Sequence, residues 1–329
     1  MKVRLVTAAM LFLCLCVNLA ADEVEKTETR RFRLSPDGEI SLLADDGSVS
    51  VKTWTRNEVE VKMTKRAWGR NRKEAQKMLE DIRIRFQDHR DRLVIRELPS
   101  REEEHFNFFD LFDGEFWREK RWRKATVDFE LTIPRSASMK IQCDEGNVEI
   151  YGAEGDIVVD VDEGNVEIES IRSVEVQIFV DEGHVSIREW VSGNSGRLKI
   201  DSDEGDIFIG SSRLEEANIG ADEGEIVLRD VALRRCWLVT DEGDIEADTE
   251  PMENCSYRME SDEGRITVTL PADVQVLVRL VAEEGRIDSD FDIDIDDHDD
   301  GERAEGVIGS RDGVLKIYTD EGDIDIYKR

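Results

Sequence analysis

One tripeptide constrains this chain more than any other feature. Asp-Glu-Gly, once Glu-Glu-Gly, recurs through residues 141–329, followed each time by one polar residue and then by Val or Ile. The glycines are Gly146, Gly164, Gly183, Gly205, Gly224, Gly243, Gly264, Gly285 and Gly322, with an early copy, Asp45-Asp46-Gly47, ahead of them. Neighbours from Gly146 to Gly285 stand 18 to 22 residues apart, and 37 residues separate Gly285 from Gly322. A fixed period of this length is the mark of a repeat architecture.

Aligned on the glycine, the units share their apolar positions. Two places after it come Val148, Val166, Val185, Ile207, Ile226, Ile245, Ile266, Ile287 and Ile324. Five places before it come Ile141, Val159, Ile178, Ile200, Ile219, Leu238, Met259, Leu280 and Ile317. Three places before it the residues are compact, such as Cys143, Ser202, Ala221 and Thr319. Apolar residues alternating with polar ones on both sides of a turn read as two strands.

A unit this small cannot bury its own apolar face, and stacking on its copies solves the problem. The fold class expected is therefore all-β: a parallel β-solenoid (β-helix) of about ten coils with ~20-residue repeats, carrying one short helix and a small capping region. Glycine suits the turn because a residue without Cβ enters positive-φ backbone at least cost. Antiparallel hairpins packed as a sandwich are the competing arrangement.

Between Thr55 and Arg135 the chain departs from the repeat. The stretch 71–82 reads as an amphipathic helix, with Ala75, Met78, Leu79 and Ile82 at helical spacing. Residues 83–86, 93–95 and 127–133 read as strands. Between them, residues 105–122 gather Phe106, Phe108, Phe109, Phe112, Phe116, Trp117 and Trp122 among charges. That segment suits a membrane-interface or partner-binding loop, or else a cap folded back on the strands or a mobile loop.

The N-terminus itself is a secretory signal: two basic residues in Met1–Arg4, a mostly apolar Leu5–Leu19, then Ala20 and Ala21. The expected division is signal 1–21, first coil, helix and cap 22–140, and acidic repeats 141–329. Export also sets the cysteine chemistry, because Cys143, Cys236 and Cys255 then meet an oxidising setting. Cys236 and Cys255 lie in neighbouring units two positions out of register. They form a bridge only if the return loops shift; otherwise both are small core residues.

Residues 141–329 carry a net charge of about −35 and residues 1–140 about +3, which sum to the net −32. Such a field repels nucleic acid and anionic lipid and attracts metal ions, basic peptides or basic proteins. Stacked coils would place equivalent carboxylates about 5 Å apart. Solvation and salt can offset that repulsion, as can a hard cation such as calcium. A local candidate for calcium is Asp294, Asp296, Asp297, Asp299 and Asp300, which lacks the glycine and glutamate positions of an EF-hand loop. For catalysis there is little: His89, His105, His184 and His298 are scattered, with no nucleophile motif beside them. No catalytic residue and no organic cofactor is expected.

The signal, the early repeat, the short helix, Val-Asp-Phe-Glu-Leu-Thr-Ile-Pro at 127–134 and the glycine-turn units together resemble the bacterial putative-adhesin family of unknown function. Asp288-Ser289-Asp290-Phe291 and the closing stretch from Gly306 fit the same pattern. The resemblance implies an exported or surface-associated β-helical protein without established catalysis. Its turns commonly read Thr-Ser-Asn-Gly, so the Asp-Glu-Gly turns are what is individual here. Function is then expected to be non-enzymatic binding or sensing at the cell envelope, toward a cationic or cell-surface partner. A calcium-stabilised structural rod and a polysaccharide-active β-helix enzyme are the alternatives.

Overall fold

The computed structural model describes residues 22–98, 125–192, 195–298 and 301–329. The expected signal 1–21 and the aromatic stretch 105–122 lie outside them. The described chain is all-β with one helix, and its strands join in a single 24-stranded, mostly parallel sheet.

The first part runs β1 (Asp22–Arg33), β2 (Glu39–Asp46), β3 (Val49–Trp54), β4 (Glu58–Gly69), α1 (Arg72–Asp81), β5 (Arg83–Asp88), β6 (Arg92–Leu98) and β7 (Ala125–Pro134). The repeats follow as β8 (Ser138–Glu145), β9 (Val148–Tyr151), β10 (Ile157–Glu163), β11 (Val166–Glu169), β12 (Glu175–Glu182), β13 (Val185–Arg188) and β14 (Arg197–Glu204). Three long strands continue them: β15 (Ile207–Glu223), β16 (Ile226–Glu242) and β17 (Ile245–Glu263). The chain closes with β18 (Ile266–Leu270), β19 (Val276–Glu284), β20 (Ile287–Ser289), β21 (Asp294–Asp297), β22 (Glu302–Ile308), β23 (Gly313–Glu321) and β24 (Ile324–Lys328).

Each glycine corner joins two parallel ladders. On the ladder before the corner, Leu42, Ile141, Val159, Ile178, Ile200, Ile219, Leu238 and Met259 stand side by side. On the ladder after it, Val49, Val148, Val166, Val185, Ile207, Ile226, Ile245 and Ile266 do the same. All of them are buried, so both columns form one continuous core. Burying each such side chain is worth roughly 1.5–3 kcal/mol, which offsets the ordering of a unit that could not fold alone.

The corner itself demands glycine. From Gly146 to Gly243 each repeat glycine has φ between 128° and 153°. A Cβ on Gly183 would lie 2.0 Å from the carbonyl oxygen of Gly164, and on Gly205 it would lie 2.1 Å from that of Gly183. The compact position three places earlier also has a reason beyond size. Thr240, Ser261 and Thr319 donate their hydroxyls inward to the carbonyls of Gly224, Gly243 and Gly264.

A second corner, six places after the glycine, is equally regular and chemically different. Gly152, Ser170, Glu189, Ser211 and Asp230 occupy it, all with φ between 46° and 77°. Just past it the chain turns inward again, and Trp190, fully buried, donates its indole N–H to the Ser173 carbonyl at 2.9 Å. In the central coils a third side pairs as well, Ser212, Arg213 and Leu214 lying beside Val231, Ala232 and Leu233.

Stacking in chain order fails at the C-terminal end. β17 pairs with β23, and β19 lies on the far side of β23. On the other ladder β24 separates β18 from β20. The glycine file therefore runs Gly264, Gly322, Gly285. The 37-residue interval accommodates this through β22, which runs antiparallel along the outer edge of β19, with β21 beyond it. Inserting the last unit gives its strands a hydrogen-bonded neighbour on each side instead of one.

The N-terminal end is closed differently. β3 is followed outward by β7, then by β4 and β1, both antiparallel to their neighbours. β2 is followed by β6 and its hairpin partner β5. Asn71, the first residue of the expected range, caps helix α1 by accepting the Glu74 N–H at 3.0 Å, so the helix itself starts one residue inside that range. It buries Ala75 and Leu79 against Val24 and Ala67.

Candidate functional site: the acidic glycine edge

Parallel register turns the Asp-Glu pairs into files. Glu145, Glu163, Glu182, Glu204, Glu223, Glu242 and Glu263 follow one another across the ladder, then Glu321 and Glu284. The residues one place earlier, Asp162, Asp181, Asp203, Asp222, Asp241 and Asp262, run beside them, and both files are exposed. The backbone beneath is hydrogen-bonded from coil to coil. From Gly47 to Gly264 each repeat-glycine N–H donates across the file to a glutamate carbonyl, as from Gly164 to Glu182 at 2.8 Å and from Gly205 to Glu223 at 2.9 Å.

The residue just after the glycine forms a further ladder, which sequence reading passes over as a single polar place. The Asn165 N–H donates to Asn147 Oδ1, the His184 N–H to Asn165 Oδ1, and the Asp206 N–H to His184 Nδ1, each at 3.0 Å. The Glu225 N–H then donates to Asp206 Oδ1 at 3.1 Å. Side chains that accept at short reach, Asn, Asp and His, fit this position because each satisfies the amide of the next coil. His184 is thereby accounted for as a ladder member.

Charge along the edge is largely uncompensated. From Asp181 through Glu263, no carboxylate of these two files has an ion-pair partner within 4 Å among the described residues, while Asp206 of the ladder beside them lies 3.5 Å from His184. Nearer the C-terminal end, Glu283 meets Arg303 at 3.7 Å. The cost shows in the titration of two side chains. Partial burial, then the neighbouring Asp203, Asp160 and Glu182, raises the Asp181 carboxyl above its ordinary value. Glu225 is raised by partial burial and by Glu246, Asp206 and Asp244. By contrast, side-chain hydrogen bonds from Gln177 and Arg197 hold Glu175 below its ordinary value.

The calcium candidates are spread by a strand. Asp294, Asp296 and Asp297 sit exposed in β21, where alternation puts Asp297 on the face opposite the other two. Asp296 stands across from Arg303. Asp299 and Asp300 lie outside the described residues. Among the described residues no three His, Cys, Asp or Glu side chains converge in a way that could hold a metal ion.

Cys143, Cys236 and Cys255 are buried free thiols. Register puts Tyr257 beside Cys236, so the pair stays two places apart and unbridged. Burial, reinforced by Asp144 and other nearby carboxylates, pushes the Cys143 thiol up to about 12. A thiol so held is a packing residue and a poor nucleophile.

The model of the Toastrack DUF4097 family matches residues 38–327. None of the curated proteins matches the chain. Among solved structures it is similar to one described as a "putative adhesin" from Bacteroides fragilis, at 11% identity and a TM-score of 0.42, covering 92% of this chain and 97% of that one. A second "putative adhesin", from Parabacteroides distasonis, matches at 10% identity and a TM-score of 0.34, over 91% and 97%. A "putative lipid binding protein" from the same organism matches at 9% identity and a TM-score of 0.32, over 92% and 96%.

Proposed function

This chain belongs to the Toastrack DUF4097 family, and from that premise we propose that it is an exported, non-enzymatic solenoid that binds a cationic or cell-surface partner through its acidic glycine edge. The observation that carries the reading is the run from Asp181 to Glu263, whose carboxylates stand in files without cationic partners among the described residues. A polycation binds such an edge by releasing condensed counterions, and spacing along the edge sets which cation separations fit.

In this reading residues 1–21 direct export, 22–140 form the first coil and cap, and 141–329 present the edge. With a unit of about twenty residues and about ten coils, the edge is roughly 45–50 Å long. The metal-bridged alternative has less support, because no converging carboxylate group stands among the described residues. No helix of the described chain is long and apolar enough to cross a membrane.

The test is calorimetric titration of a ten-residue oligolysine peptide at low salt. The protein is compared with a variant carrying Glu182→Gln, Glu204→Gln, Glu223→Gln and Glu242→Gln. Affinity for the variant should fall at least about tenfold, with a shallower dependence on salt. Equal affinity and an equal salt slope would remove the edge as the binding determinant.

A further inference from the structure

Where the two ladders part at the N-terminal end, they leave a groove of about 440 Å³. That volume lies in the range of small-molecule sites. Met63 and Lys65 of β4 form its floor with Glu28 and Arg30 of β1, while Ile84 and Phe86 of β5 form the facing wall. Ile82, just past the end of α1, and Leu98 close its ends. The floor departs from the rest of the interior. Along β4 the inward series Val59, Val61, Met63, Lys65, Ala67 is apolar except for Lys65.

The cations that line the groove are Arg30, Lys65 and, on β5 between the apolar side chains, Arg83 and Arg85, and they are arranged unequally. Glu28 is taken up by Lys26 at 2.7 Å and by Arg30 at 3.9 Å. Arg30 also lies over the Phe86 ring at 4.6 Å from its centroid, and Phe86 stacks on Phe32 at 5.1 Å. Lys65 forms no ion pair among the described residues. Its ammonium donates to the Ile82 carbonyl at 3.0 Å, which leaves two of its three N–H groups for another acceptor. Burial pulls the Lys65 pKa below its ordinary value despite the nearby Glu28. An anion brought to this ammonium would relieve that penalty.

We propose that this groove binds a single-chain anionic amphiphile, its carboxylate at Lys65 and its apolar tail along Met63, Ile82, Ile84 and Phe86. Charge complementarity selects the head, and the apolar wall selects the tail. A free small anion would forgo the wall, and a neutral or cationic amphiphile would leave the ammonium unmatched. The site lies at the end of the array opposite to β20 and does not depend on the acidic edge for its ligand.

The experiment titrates the full chain calorimetrically with dodecanoate, below its micelle-forming concentration. Acetate and dodecyltrimethylammonium are the comparison ligands. Saturable one-to-one binding of dodecanoate is expected, with no saturable heat from acetate and at least about tenfold weaker binding of the cationic amphiphile. Lys65→Gln keeps a donor for the Ile82 carbonyl and should weaken dodecanoate at least about tenfold. Ile84→Glu, at a partly exposed strand position, should abolish binding by placing a carboxylate on the apolar wall against the anionic ligand, while the melting temperature reports that the fold is intact. Absence of saturable binding, equal affinity for the two amphiphiles, or an unaltered affinity in both variants would each overturn the proposal.

Discussion

From the coil of Gly146 to that of Gly224 both corners recur with the same regularity in space, yet only one of them leaves a mark in the sequence. At the glycine corner φ lies between 128° and 153°, and the chain passes within Cβ contact of the backbone of the next coil. At the second corner φ lies between 46° and 77°, and Ser170, Glu189, Ser211 and Asp230 project outward. Both conformations are uncommon for side-chain-bearing residues. The first excludes a Cβ outright by steric overlap, whereas the second only charges a residue about 1–2 kcal/mol, less for Asp. A repeat becomes visible where one residue type alone is compatible, and regular geometry without that exclusivity leaves no tripeptide behind.

The largest effect should come from Gly183→Ala, whose Cβ meets the Gly164 carbonyl oxygen. A loss of about 4 kcal/mol or more, or failure to fold, is expected in urea unfolding. A loss below about 1 kcal/mol would break the contrast between the corners. Gly220→Ala is its internal control, since a Cβ there has only Asp201 Oδ1, at 3.7 Å, within reach. That change should be neutral or stabilise by up to about 1 kcal/mol.

Trp190→Phe tests what holds the second corner, because it opens space in the core and strips the Ser173 carbonyl of its donor. About 2–3 kcal/mol should be lost. Asn165→Ala removes the acceptor of the His184 N–H at an exposed site and should cost about 1 kcal/mol. Ser211→Gly should leave stability within about 0.5 kcal/mol, as strain relief is offset by the greater freedom of glycine in the unfolded chain.

The smallest effect concerns pH. Asp181 and Glu225 are raised by burial and neighbouring carboxylates, so the folded chain binds their protons more tightly than the unfolded chain does. Stability attributable to them therefore rises as pH falls from neutral toward the ordinary carboxylate range near about 4, and declines as pH climbs through their raised values. In low salt the melting temperature should increase modestly between pH 7.5 and about 5.5, and less so in Asp181→Asn with Glu225→Gln. Glu28 and Glu175 act oppositely: their hydrogen bonds are kept through this window and lost only below the ordinary range. A flat profile in the unaltered protein would show that solvent screens the files fully.

Much of the acidic edge was legible because it is built from residues next to the glycine that defines the repeat. The ladder through Asn147, Asn165, His184 and Asp206 was less so. Asn, His and Asp look unrelated as residue types, and their common role as acceptors emerges only when successive coils are superposed in space. The N-terminal groove left no sequence signal at all. Lys65, Glu28 and Phe86 come from three strands that meet only after the chain has closed its end.

The sequence by itself determined the local unit: which residues face inward and where glycine is obligatory. Both follow from sterics and period-two alternation, which act over a few residues, whereas parallel stacking is the favoured of two arrangements until the coil-to-coil register decides it. Only the tertiary structure decided the order of the last units, Gly264 beside Gly322 beside Gly285, and the two different closures of the ends. Every unit offers nearly the same hydrogen-bonding edges, so local pattern cannot rank one neighbour over another. The choice falls to the chain's return through β21 and β22 and to which arrangement leaves the fewest open strand edges.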